Sequence, residues 1–179
     1  MTLRMRLERD ADGHLWLRDL PPLCADTVLR LPGWLENEDP LVRRRLLPQV
    51  FADAAEEEQW RRYGASELEY LFLSRAEILR KDLESLAAES PATTTFKLRI
   101  QRGHEAAWLS SLNGGRLALF TMHGLADADM GRDPSSLRNP EHELALVRIH
   151  LMAWVQELLL DQKGLGSTGS AEAAADDDA

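Results

Sequence analysis

Ala107-Trp108-Leu109-Ser110-Ser111-Leu112-Asn113-Gly114-Gly115-Arg116-Leu117-Ala118-Leu119-Phe120 is the most informative stretch of this chain. Its apolar residues recur at helical spacing, within a helix expected from about His104 to Gly124. Gly114-Gly115 sits in the middle, and two glycines in a helix interior cost about 2 kcal/mol relative to alanines. Something must offset that cost. A phosphate cradle would follow a strand and carry a longer glycine pattern, which is missing. Close approach of a neighbouring helix is the favoured reason. The spacing therefore predicts a helix that is continuous or only kinked, with Trp108 buried and lining one core with Trp154. A break at the glycines, capped by the Asn113 amide, is the alternative.

On either side of this helix the pattern shifts between periods. Leu3, Met5 and Leu7 alternate with Arg4, Arg6 and Glu8, and Leu15 and Leu17 alternate with Trp16 and Arg18. Period two is the strand signal. Asp10-Ala11-Asp12-Gly13 lies between, a turn in which glycine supplies a positive φ. A β-hairpin from about Leu3 to Arg18 is expected, ended by Pro21-Pro22. Phe96, Leu98 and Ile100 alternate with Thr95, Lys97 and Arg99. This central strand is expected to join the hairpin, because an isolated hairpin is marginal.

The remaining segments read as helices. Leu23 opens one that should stop near Leu31, where Pro32-Gly33 interrupts it. Asp39-Pro40 is a cap followed by a first-turn proline, and Pro48 ends that helix. Asp53 begins another, with Glu56 as its capping-box partner, running to Tyr63 with Gly64 as the stop. Ser66-Glu67-Leu68-Glu69 opens the longest, to about Ala88. Leu68, Phe72, Leu79, Leu83 and Leu86 share its inner face, with Asp82 among the polar residues elsewhere. Leu71 and Leu73 widen the stripe and predict deeper burial of its first turns. After a polar loop, Asp127 to Arg138, Asn139-Pro140 opens the last helix. There Leu144, Val147, Leu151, Trp154 and Leu158 form the expected inner face, too short a heptad run for a coiled coil.

Composition bounds the function classes. The 179 residues suit one domain. Residues 1–161 are read as a single globular domain and 162–179 as a disordered acidic tail, since Gly, Ser, Ala and Asp dominate there. Net charge is −9, and the tail, with Lys163 against Glu172, Asp176, Asp177 and Asp178, leaves −6 on the rest. That balance argues against nucleic-acid binding. No run approaches a membrane span, and no signal peptide opens the chain. Cys24 is the single cysteine, expected as a buried inert thiol in a reducing, cytoplasmic setting.

Candidate chemistry is sparse. His142 and His150 lie about 12 Å apart along one helix, and no zinc-type ligand spacing occurs. Neither metal nor cofactor is expected, and no catalytic residue stands out. Arg43-Arg44-Arg45 is the densest basic cluster, expected to be salt-paired surface. Ser66, Ser110 and Ser111 lack a nucleophile-elbow context. Glu56-Glu57-Glu58 reads as a solvated helix start. Trp34, beside Pro32-Gly33, together with Asn113 and Arg116, are the candidate interaction residues.

Phe96-Lys97-Leu98-Arg99-Ile100, Ala107-Trp108-Leu109-Ser110-Ser111-Leu112-Asn113 and Arg116-Leu117-Ala118-Leu119 resemble an uncharacterised bacterial family. It is a domain of unknown function encoded in many high-GC bacteria beside the adaptor of the Clp protease. The Asp39-Pro40 and Leu46-Leu47-Pro48 spacing and the Trp-bearing last helix are also similar. Gly114 stands where that family typically has Asp, so an Asn-Asp polar pair, if the family uses one, is half missing here. The resemblance implies an architecture and a genomic neighbourhood, not a reaction.

These readings predict an α+β, predominantly α fold: about five helices with a small antiparallel sheet, made of the N-terminal hairpin plus one central strand. For function they favour a non-enzymatic interaction or regulatory protein with a protein partner, accessory to regulated proteolysis. A transcription regulator with a cryptic helix-turn-helix and a small hydrolase using unpaired carboxylates are the alternatives.

Overall fold

The computed structural model describes residues 5–162. The expected disordered tail therefore falls, but for Gln162, outside the described residues, as does the start of the hairpin.

Strands β1 (Arg6–Arg9), β2 (Leu15–Leu20), β3 (Ala87–Ala88) and β4 (Phe96–Ile100) form one antiparallel sheet in the order β1-β2-β4-β3. Leu7 pairs with Leu17, and Leu17 with Leu98, so alternate leucines stack on one face. Leu7, Leu15, Leu17, Leu20, Leu98 and Ile100 are all buried. The hairpin turn forms as read: Gly13 has φ 86°. Asp10 holds the turn by accepting from the His14 N–H at 2.9 Å and the Trp16 Nε1–H at 3.0 Å.

The helices are α1 (Pro22–Leu35), α2 (Pro40–Leu46), α3 (Ala54–Gln59), α4 (Ala65–Leu83), α5 (Glu105–Met122) and α6 (Pro140–Gln162). A single π turn, Trp60–Gly64, fuses α3 and α4 into one rod, so the described residues hold five α-helical bodies. The fold is α+β and predominantly α. Caps read from sequence are present: the Leu41 N–H donates to Asp39 at 2.7 Å, and the Glu141 N–H to Asn139 at 2.9 Å. Asp53 accepts from the Ala55 and Glu56 N–H groups, both at 3.0 Å.

Helix α5 is the centre, touching α1, α2, α4 and α6. It runs unbroken through Gly114-Gly115. A Cβ on Gly114 would stand 2.7 Å from Leu35 Cδ2, and one on Gly115 would collide with Leu31 and approach Met152 Sδ at 3.1 Å. The glycines are there because α1 and α6 cross α5 at that point. Trp108 is fully buried.

Several boundaries depart from the sequence reading. Helix α1 continues past Pro32 to Leu35. Leu31, Pro32 and Leu35 are all buried, and the Glu36 N–H closes the last turn on Pro32 O at 3.2 Å. Burial there outweighs a helix-interior proline's cost of about 3 kcal/mol. Gly64 does not stop a helix. It is helical, with φ −71°, and a Cβ would strike the Trp60 ring, which lies over it. Ser66 accordingly makes no capping box, and its hydroxyl donates to Arg62 O at 3.2 Å. Helix α4 ends at Leu83, not Ala88, because Ala87 and Ala88 pair with β4 as a fourth strand.

Two apolar faces were misplaced. Leu71 and Leu73 are 43% and 44% exposed rather than deeply buried. Along α4 no side chain between Ala65 and Ala76 is buried. The first half of α4, with α3 and the π turn, is therefore an arm reaching past the core. In α6 the buried side chains are Ala145, Leu146, Ile149, Met152, Val155 and Leu159. The face is rotated by about one residue from the expected one, and Trp154 packs on the core only partly buried.

Candidate functional site

The most concentrated polar cluster lies where the end of α4 meets the start of α5. Asp82 is buried, at 1% exposure. Its carboxylate accepts from the Trp108 Nε1–H at 2.8 Å and from the Gln101 N–H at 3.3 Å. His104 Nδ1 lies 3.0 Å from both Asp82 oxygens. An Nδ1–H donating to the carboxylate fixes the ring's tautomer and leaves Nε2 as its basic nitrogen. Asp82 and His104 thus have the geometry of the orienting and base members of a triad. Among the described residues no hydroxyl or thiol is hydrogen-bonded to Nε2, so the nucleophile has no counterpart. What the cluster does is join α4, the turn after β4 and α5 through one buried carboxylate.

A groove runs between α2 and the arm. Its inner recess is lined by Leu35, Leu46, Phe72 and Leu73. Arg43, Leu47 and Glu69 form the lip, shared with an open cleft of about 460 Å³ that also takes in Arg44, Arg61 and Ser66. The arginines differ in their ties. Arg43 pairs with Glu69, Arg61 with Glu57 at 2.9 Å, and Arg45 stacks 5.9 Å over the Phe120 ring. Arg44, exposed, has no carboxylate partner among the described residues. The groove thus offers an apolar floor beside the ion pairs Arg43–Glu69 and Arg61–Glu57 and the exposed Arg44.

Glu57, read as solvated, is the latch of this region. Its carboxylate accepts from the Val50 and Phe51 N–H groups, both at 3.0 Å, and pins the loop after α2 to α3. The hydrogen bond from Phe51 leads in holding its carboxyl below the ordinary carboxylate value, against burial and with help from Val50 and Arg61. Nothing in Glu56-Glu57-Glu58 distinguishes the middle residue, since its partners are backbone amides of a loop.

The three residues singled out from sequence fall in different places. Trp34 is half-buried, with the Arg148 guanidinium 5.6 Å over its ring. Arg148 also reaches Asp26, which takes the Arg30 Nε–H at 3.0 Å, so the set ties α1 to α6. Arg116 donates to Gln156 Oε1 at 2.9 Å between α5 and α6. Asn113 is exposed on α5, one residue before the glycine that meets Leu35 and Phe72 in the groove floor. Trp34 and Arg116 both face α6, and Asn113 stands apart from them.

Cys24 is buried, and burial pushes its thiol up to about 12. Among the described residues no group of three or more His, Cys, Asp or Glu is placed to hold a metal ion. Among them, too, no helix is long and apolar enough to cross a membrane. The outer sheet face gathers cations round Trp16, with Arg18 at 5.2 Å and Arg99 at 5.9 Å from its ring. Arg6 and Arg18 there are tied to Glu8, Asp19 and Glu89. The face is charge-mixed rather than a basic stripe.

Residues 7–162 match the family described as Domain of unknown function (DUF2017). The chain belongs to this family. The match takes in every element from the hairpin to the end of α6, so the family's unit is the whole fold and not the central strand and helix alone. Neither a curated protein nor a solved structure matches the chain.

Proposed function

We propose that this DUF2017 chain is a non-enzymatic interaction protein whose partner docks in the groove between α2 and the arm. The observation that carries this reading is the groove's composition. The recess over Leu35, Leu46 and Phe72, at about 10 Å³, is closed to a side chain, so Leu47 at the lip and exposed Leu73 beside it offer the apolar contact. Arg44 beside them, exposed and without a carboxylate partner among the described residues, accepts a carboxylate. An apolar contact with an arginine alongside suits a protein interface, where charged residues other than arginine are depleted at the centre. The partner is thus a protein segment carrying both apolar and acidic side chains. Exposed Asn113, near the groove floor, supplies a polar rim. Trp34 and Arg116 act by holding α1, α5 and α6 in place beneath it.

The place of action is the cytoplasm, in keeping with one cysteine and that one buried. The role is accessory to regulated proteolysis, supported by the resemblance to a family encoded beside the Clp adaptor. Paired affinity purification from native cells tests both statements. The full chain should enrich a protein, expected among components of the proteolytic machinery, that Leu73→Glu and Arg44→Glu variants of unchanged melting temperature fail to enrich. Recovery of the same proteins by wild type and both variants would contradict the groove assignment.

A further inference from the structure

The outer face of the sheet holds cations that its own carboxylates do not balance. Trp16 on β2 stands there between its cross-strand neighbours, Glu8 on β1 and Arg99 on β4. Alternation puts Arg6, Arg18 and Lys97 on the same face, opposite the buried Leu7, Leu17 and Leu98. Arg18, Arg99 and Lys97 lie 5.2, 5.9 and 6.0 Å from the centroid of the Trp16 ring. Glu8, Asp19 and Glu89 tie up Arg6 and Arg18. Lys97 and exposed Arg99 have no carboxylate partner among the described residues. Two neighbouring cations beside one aromatic ring are thus left over, in a chain whose net charge is −9.

We propose that the acidic segment of this same chain, Glu172 with Asp176-Asp177-Asp178, docks on this face at Lys97 and Arg99. Three observations name that segment as the occupant. The first is where the chain leaves α6. Strand β1 is outermost in the sheet. The Asp10 N–H donates to His14 O at 3.0 Å, which makes those two a hydrogen-bonded pair. Such pairs alternate along an antiparallel ladder, so Leu7, opposite Leu17, turns its carbonyl away from β2. Gln162, the last residue of α6, donates from Nε2 to that carbonyl at 3.4 Å. The chain therefore departs from the open edge of this sheet. The second is reach. Glu172 and Asp176 follow Gln162 by ten and fourteen residues, and five of the nine residues 163–171 are Gly or Ser. A Gly/Ser-rich chain of that length spans about 16–22 Å, and β4 lies only two strand spacings, about 10 Å, from β1. A tether of this kind keeps the carboxylates near the face at a millimolar effective concentration. The third is charge. Residues 172–178 carry four carboxylates and no base, which complements the two cations left over. Exposed ion pairs are individually weak, so the contact needs several carboxylates at once and is sensitive to salt.

Paramagnetic relaxation on the full chain tests this. A nitroxide is attached at Ala174→Cys, and native Cys24, being buried, stays unlabelled. In dilute solution at low salt the label should broaden the Trp16 indole N–H and the Lys97 and Arg99 amides. A second labelled chain with Glu172→Gln, Asp176→Asn, Asp177→Asn and Asp178→Asn keeps the tether and loses the charge. The broadening should fall at least ~2-fold in that chain, in Lys97→Gln/Arg99→Gln, and at about 1 M salt, where the Debye length is about 3 Å. Unchanged broadening in the neutralised chain would report the tether alone and overturn the proposal. Broadening centred on Arg44 in the groove would overturn it too, as would broadening in a mixture of separately spin-labelled and isotope-labelled chains, which reports contact between copies. Leu73→Glu and Arg44→Glu should leave the pattern unchanged, so this contact and the groove assignment stand or fall separately.

Discussion

At the scale of single residues, Asp82 and Gly115 carry the most structural information. Asp82→Ala would leave the Trp108 indole N–H and the Gln101 N–H without their acceptor. A loss of ~2–4 kcal/mol is expected, since each buried donor left unpaired costs about 1–3 kcal/mol. Equilibrium denaturation would measure it, and an unshifted midpoint would mean water replaces the carboxylate. Trp108→Ala should cost ~3–5 kcal/mol, as large aromatic truncations do. Gly115→Leu should disrupt folding by overpacking against Leu31 and Met152, at ~1–3 kcal/mol or more. Wild-type stability in that variant would refute the tight crossing. Asp26 gives a pH signature. Burial works to raise its carboxyl, and the hydrogen bonds and charges of Arg30 and Arg148 overcome it, holding the group below its ordinary value. Its contribution is therefore complete above the ordinary carboxylate pKa and lost as pH falls through the depressed one. Asp26→Asn should be less stable than wild type near neutral pH, and the gap should close in strong acid. A gap that persists in acid well below the depressed value would show that Asp26 acts by shape instead of charge. The glycine crossing and the Trp108 burial were legible in sequence because backbone crowding and a large apolar ring leave compositional marks. Asp82 was not, because its partners come from the turn after β4 and from α5 and only folding brings them together.

At the scale of elements, period and caps located the helices and strands well, and their failures share a cause. In α6 the apolar residues extend round the helix, Leu144 and Leu160 being exposed while Ala145 and Leu146 are buried. A three-four repeat can then be traced on more than one face, and tertiary packing selects the one actually used. In α4, Leu71 and Leu73 extend a stripe that the core does not cover. Periodicity reports which residues are apolar and not whether a neighbour is present. Gly64 misled in another way, since a glycine that ends helices also fits where the Trp60 ring lies against the backbone. Strand β3, two residues long, is too short to show any period. Glu57 illustrates an element held by one side chain. Glu57→Ala should free the loop after α2, with faster amide exchange at Val50 and Phe51 and little change in α5. Unchanged exchange at those two amides would mean the loop is held by other contacts, such as Trp60 Nε1–H to Pro48 O at 3.4 Å.

At the scale of the whole molecule, a sheet and the helices α1, α2 and α6 close around α5, while the α3–α4 rod extends past them. The rod's core end is fastened by Asp82, and its free end borders the groove. The groove is the centre of the functional reading, and site-specific photo-cross-linking in living cells tests it most directly. A photoreactive residue replacing Leu73 should capture one discrete protein in high yield, and the same residue replacing exposed Leu29 on α1 should not. Equal or absent capture at the two positions would contradict a partner seated in the groove.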